Sequence, residues 1–170
     1  AVAAAPPATR EMWLATVAAL WDEASFREER YAAIDLLAAR RFRAWRTAEL
    51  LPLLERLVAD GAWWDLVDPL AALVGEILRA DAAGTRPTVL EWSRRRDLWL
   101  RRAAIVCQVS ARSQLDRDLL LACVGSSLDD RDFFARKAIG WALRAASAED
   151  PTWVRDLVAT LGPRLSPLSR

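Results

Sequence analysis

Asp97-Leu98-Trp99-Leu100-Arg101-Arg102-Ala103-Ala104-Ile105 has a later counterpart in Asp132-Phe133-Phe134-Ala135-Arg136-Lys137-Ala138-Ile139-Gly140. In both, an acid is followed by large apolar residues, a basic pair and then small or aliphatic ones. Asp65 through Ala71-Ala72-Leu73 fits the same register one step ahead of Asp97, and Arg30-Tyr31-Ala32-Ala33-Ile34 fits it one step earlier again. The pattern therefore returns with a period of roughly 30–40 residues, the range of helical-repeat arrays.

Working outward from these stretches, apolar residues recur at spacings of three and four nearly from end to end. No run alternates with a period of two for long enough to make a sheet, so the chain is expected to be all-α. Helices are expected at 10–21, 25–41, 48–60, 64–80, 87–96, 98–110, 114–125, 131–147 and 151–161. Gly61, Gly84 with Pro87, Gly125-Ser126-Ser127 and Gly162-Pro163 mark the breaks between them. Two helices per repeat at this period describe a HEAT-like or armadillo-like solenoid, in which neighbouring pairs bury each other's apolar faces and the second helices line a concave surface. The recurring alanines suit close helix approach. Trp64, Asp68, Arg102 and Trp141 all fall on these second helices or at their starts.

Composition limits the chemistry. The chain has 170 residues, no His, two Cys and six Gly, and 54% of it is apolar. Without imidazole, any mechanism that needs a histidine base or ligand is excluded. Two Cys leave no zinc site, and six Gly hardly make a phosphate loop, so no metal and no cofactor is expected. Cys107 and Cys123 lie in apolar helical runs and read as buried thiols of a reducing compartment. No segment reaches the ~20 apolar residues of a membrane span, and the opening AVAAAPPATR lacks the basic start of a secretory signal. The expected location is cytoplasmic. Net charge is only +1, but residues 1–85 carry 9 basic and 13 acidic groups whereas residues 86–144 carry 12 and 7. The basic stretch can hold a polyanion; it reads equally well as a set of solvated helix faces.

Trp63-Trp64-Asp65-Leu66-Val67-Asp68 is the sharpest local signal. Trp64 and Asp68 are four residues apart, which on a helix sets an indole face beside a carboxylate. Both attract positive charge. The structural alternative makes the indoles core residues and Asp68 the cap of a helix that Pro69 starts, as Asp150-Pro151 would do elsewhere. Trp13, Trp21, Trp45 and Trp153 read as core, and core is also the better reading for Trp63, Trp92 and Trp99.

Four segments together resemble the AlkD-like DNA alkylation repair enzymes, HEAT-like glycosylases that remove N3- and N7-alkylated purines. They are Leu20-Trp21-Asp22 with its following helix, Trp63 to Asp68, Leu98 to Ile105, and Phe133-Phe134-Ala135-Arg136-Lys137-Ala138-Ile139-Gly140-Trp141-Ala142-Leu143-Arg144. The resemblance places the family's lesion-facing aromatics on Trp64 and Trp141, its catalytic carboxylate on Asp68 and its backbone-gripping arginine on Arg102. Arg101, Arg136, Lys137 and Arg144 are weaker phosphate candidates, since basic helix faces are usually solvated. An intramolecular pair with Asp97 or Asp68 is the alternative for Arg102.

The resemblance further implies one HEAT-like domain over 1–170, without the additional N-terminal helices and basic C-terminal stretch that family members usually carry. It also implies a monomer acting at the nucleoid on double-stranded DNA with cationic alkylated bases, through an open concave face and without a membrane. The competing reading is a non-catalytic helical-repeat module that binds DNA or a protein partner.

Overall fold

Nine α-helices and several short 3-10 turns make up residues 6–170, which the computed structural model describes; no strand occurs among them. The helices are α1 (Arg10–Asp22), α2 (Arg27–Ala38), α3 (Leu51–Gly61), α4 (Trp64–Ala80), α5 (Ala82–Trp92), α6 (Leu98–Val106), α7 (Arg117–Gly125), α8 (Phe133–Ser147) and α9 (Pro151–Leu161). Five of them start at an aspartate, because a carboxylate at that position accepts from the backbone N–H groups that the first turn leaves unpaired. Asp81 caps α5, Asp97 α6, Asp116 α7, Asp132 α8 and Asp150 α9.

Where helix boundaries depart from the sequence expectation, the cause is local. Gly84 and Pro87, expected in a loop, lie inside α5, because Asp81 starts the helix early by accepting from Gly84 N at 2.9 Å. A Cβ on Gly84 would overlap that same carboxylate, so the cap needs the glycine. Pro69 does not begin a helix: α4 runs through it from Trp64. The stretch expected to be helical to 41 ends at Ala38 and continues as a 3-10 turn, Arg40–Trp45. The chain reverses after α3 on Ala62, not on Gly61, with Ala62 in the left-handed region at φ 42° and its N–H bonded to the Val58 carbonyl.

Two compact units divide the chain, residues up to Arg46 and residues from Thr47. In the first, α1 packs on α2 around Trp13, Val17, Trp21, Ile34 and Leu37. Trp13 donates its indole N–H to the Leu36 carbonyl at 3.0 Å, and its ring meets Phe42 and Trp45.

In the second unit, α4 lies against α6 and α6 against α8, forming a row. α3 rests on α4 and α6, α5 on α4, α6 and α7, and α9 on α8. This is the repeat-on-repeat contact that the period predicts. Gly75 is a point of close approach, since a side chain there would run into the Cys107 carbonyl oxygen. Because neither backbone can give way cheaply, Gly75→Ala is expected to destabilise the protein by about 1–3 kcal/mol. Urea denaturation measures this, and an unchanged midpoint would contradict the packing. The two cysteines are free and buried in this unit, and burial pushes both thiols up from their ordinary range.

The caps also refine the repeat register. Trp63, Asp97 and Asp132 precede α4, α6 and α8 at nearly equal intervals. Trp63, not Asp65, is therefore the equivalent of the two aspartates, and the register expected from the sequence is corrected by two positions. No side chain caps α4, so the acid that marks the other starts is missing there and Asp65 mimics it in the sequence. In the corrected register Asp68, Arg102 and Lys137 occupy one repeated position, the fifth after the cap.

Candidate functional site

Trp64 is the first residue of α4 and Asp68 follows one turn later, so the helix sets them on one side as the i, i+4 spacing requires. Trp64 is 47% exposed. Asp68 lies inside the helix and caps nothing, so the capping alternative fails, whereas the pairing with Asp68 given as the alternative for Arg102 is formed. Its carboxylate is held from the neighbouring helix: Arg102 donates Nε–H to Oδ1 and Nη2–H to Oδ2, both at 2.8 Å. Parallel bonds of this kind between charged partners fix orientation as well as distance.

The pair is largely withdrawn from water, with side-chain exposures of 7% for Arg102 and 14% for Asp68. A third bond runs from Arg102 Nη1 to the Phe134 carbonyl on α8 at 2.9 Å, and the guanidinium stands 5.9 Å from the Phe134 ring. Arg102 thus ties α4 and α8 to α6. Of its five N–H groups, these bonds engage three.

Trp141 stands on α8, 40% exposed, one turn beyond Lys137. It shares a pocket of about 270 Å³ with Arg102, Lys137, Gly140, Arg144 and Leu168. Asp68, Arg102 and Trp141 are therefore linked through Arg102, and Trp64 adjoins the acid on its own helix. Lys137 and Arg144 are exposed at this pocket, with the Lys137 ammonium 6.0 Å from the Phe133 ring.

The other two basic candidates are engaged elsewhere. Arg101 bonds the carbonyls of Arg95 and Arg96 and pairs with Asp130 at 2.7 Å. Arg136 donates to the Asp130 carbonyl at 3.1 Å. Partial burial pushes the Asp130 carboxyl up, but the Asp132 N–H and the Arg101 guanidinium outweigh it and hold that group below the usual carboxylate range. These contacts fasten the segment before α8; they face neither Asp68 nor Trp141 through any bond.

Sequence reasoning missed an aromatic group around the pair. Trp63 and Trp99 approach Phe134 at 5.3 and 5.0 Å between ring centres, and each other at 6.0 Å. Trp63, read as core, is 44% exposed, because it precedes the first turn of α4 and only one side meets the cluster. The signal was available: Trp99 and Phe134 hold the same place, two residues after their caps. Among the tryptophans read as core, Trp13, Trp21, Trp92 and Trp99 are buried, while Trp45 and Trp153 are half-buried.

The all-helical chain thus sets a carboxylate held by arginine one turn from an exposed indole, and the same arginine lines a pocket with a second exposed indole and two exposed cations. The chain belongs to the DNA alkylation repair enzymes: the family model with that description matches residues 2–170. It is also similar to a solved structure described as a predicted DNA alkylation repair enzyme from Enterococcus faecalis. That likeness has a TM-score of 0.83 at 30% identity, over 95% of this chain and 73% of the other. No curated protein matches. Among the described residues, no group of three or more His, Cys, Asp or Glu could hold a metal, and no helix is long and apolar enough to cross a membrane.

Proposed function

We propose that the protein is a monofunctional DNA glycosylase that hydrolyses the N-glycosidic bond of cationic N3- or N7-alkylated purines in double-stranded DNA. The observation that carries this reading is Asp68, oriented by two 2.8 Å bonds from Arg102, with Trp64 one turn away and Trp141 lining the same pocket as Arg102. An alkylated purine already carries positive charge, so it departs without a general acid, and a chain without His can manage the reaction. As the bond breaks, positive charge moves to the deoxyribose, giving an oxocarbenium-like transition state. A fixed carboxylate near C1′ stabilises that charge and orients the attacking water.

Trp64 and Trp141 offer ring faces to the cationic nucleotide and its sugar. Lys137 and Arg144 suit the flanking phosphates, and the remaining N–H groups of Arg102 can reach a third. The single lysine, Lys137, sits exposed at a basic pocket and not in the desolvated setting of a Schiff-base amine, so no strand cleavage is assigned. We further assign the protein as a monomer at the nucleoid.

Incubation with a duplex containing one 7-methylguanine tests the proposal: free base and an uncleaved abasic strand are expected, and none from an undamaged duplex. Binding without release of the base would favour a non-catalytic DNA-binding module instead. Trp64→Ala and Trp141→Ala are each expected to lower the single-turnover rate by about 3- to 30-fold, the range of one cation–π contact. Unchanged rates in both would remove the aromatic contacts from the mechanism.

A further inference from the structure

After α9 the chain turns back onto α8. The 3-10 turn Gly162–Arg164 redirects it, Leu165 is buried, and Ser169, 3% exposed, donates its hydroxyl to the Arg136 carbonyl at 3.0 Å. The helix makes room for this segment at Gly140, where a Cβ would stand 3.0 Å from the Leu168 carbonyl oxygen and 3.2 Å from Ser169 Cα. Between the returning segment and the connection from α7 to α8 lies a recess of about 620 Å³. It shares no lining residue with the pocket of Trp141, so it is a separate feature of the surface.

Guanidiniums dominate this recess. Arg131, Arg136, Arg164 and Arg170 line it against two carboxylates, Asp129 and Asp130, and four against two leaves a surplus of two positive charges. Both carboxylates are already engaged. Asp130 accepts from the Arg101 guanidinium at 2.7 Å and from the Asp132 N–H at 2.9 Å, while Asp129 pairs with Arg164 at 3.0 Å. Arg136 uses only its Nε–H, on the Asp130 carbonyl, and Arg170 only an Nη2–H, on the Gly162 carbonyl. Arg131 is exposed and has no hydrogen-bond or ion-pair partner among the described residues. Like charges gathered around one hollow repel one another, and an anion held between them relieves that repulsion.

We propose that the recess is a binding site for a small polyphosphate anion, of which pyrophosphate is the simplest. A guanidinium fork matches phosphate oxygens in pairs, and Arg131 with the two Nη groups of Arg136 leaves such forks unengaged. One phosphodiester brings a single negative charge, too little for the surplus, whereas linked phosphates bring two or more charges to one place. A DNA duplex is the competing occupant, since it also presents phosphates. The inference does not rest on the glycosylase reading.

Isothermal titration of the protein with pyrophosphate at low salt, without divalent metal, tests the site, and saturable binding is expected. Arg131→Ala and Arg136→Ala are each expected to weaken it by about 10-fold, the scale of one hydrogen bond to a charged group. Arg144→Ala removes a cation from the other pocket and is expected to change it by less than about 2-fold. Thermal melting identifies an Arg136→Ala protein that fails to fold, and Arg131→Ala, which alters an exposed side chain without a partner, then decides alone. Titration of the same variants with an undamaged duplex at two salt concentrations is expected to give wild-type affinity.

A wild type that does not bind pyrophosphate overturns the proposal. So does an Arg131→Ala protein that binds it as tightly as the wild type, or an Arg144→Ala protein that loses as much as Arg131→Ala, since either result means general attraction to a basic surface. Loss of duplex affinity in Arg131→Ala, with the slope of log affinity against log salt reduced by about one, assigns the recess to the duplex and overturns the small-anion site.

Discussion

Asp68→Asn is expected to slow single-turnover release of 7-methylguanine by about 100- to 1,000-fold, the size of effect seen when one preorganised electrostatic partner of a transition state is removed. The amide keeps the shape of the side chain but not its charge, and only the charge answers a developing oxocarbenium ion. The substitution is not silent for the fold. Asn can accept from one N–H of Arg102, but its amide nitrogen then faces another donor, leaving a nearly buried guanidinium poorly matched. The rate is accordingly compared well below the melting temperature of the variant, together with its affinity for DNA. Loss of rate with affinity kept supports a catalytic carboxylate, and a variant that folds and reacts at the wild-type rate refutes one.

Arg102→Met is expected to cost about 3 kcal/mol of stability, the scale of breaking a buried ion pair from one side, because it strands both the Asp68 carboxylate and the Phe134 carbonyl. It is also expected to lower the excision rate at saturating DNA, since the acid loses the partner that aims it. This separates two roles for the arginine. A residue whose main task is to orient Asp68 changes the maximal rate and leaves the salt dependence of binding nearly intact. A phosphate contact instead weakens binding and reduces the slope of log affinity against log salt by about one. Arg102→Lys keeps the charge without the paired geometry and should fall between wild type and Met in stability. Denaturation together with DNA titration at two salt concentrations distinguishes these outcomes; an unchanged denaturation midpoint in Arg102→Met would mean that the pair contributes nothing.

The helical row was legible in the sequence because its determinants are local. Apolar spacing placed α4 at its observed bounds, and the paired motifs at Asp97 and Asp132 announced two equivalent helix starts, which the capping bonds explain. Prolines misled where the capping residue mattered more: Pro69 and Pro87 both lie within helices, and Asp81, not Pro87, decides where α5 begins. Of the candidate site, Trp64 beside Asp68 could be read from their spacing, and Arg102 with Asp68 was one of two pairings open to that arginine. The long-range parts could not be read. Nothing local in Phe134 tells that its carbonyl receives Arg102, and nothing in Gly140 or Leu168 tells that the chain folds back from beyond α9 to share a pocket with α8. The outward placement of Trp63 likewise depends on which helices stand beside it.

Asp68, Arg102 and Lys137 are the same station in three successive copies of one unit, filled in turn by an anion, its holder and an outward-facing cation. A centre assembled this way is indivisible below three modules but indifferent to how many more adjoin them. Under the proposed function, adding modules to such an array is expected to change the reach of the protein along a duplex while the chemistry stays where it is, whereas removing the chain beyond α9 would open the pocket that Leu168 lines.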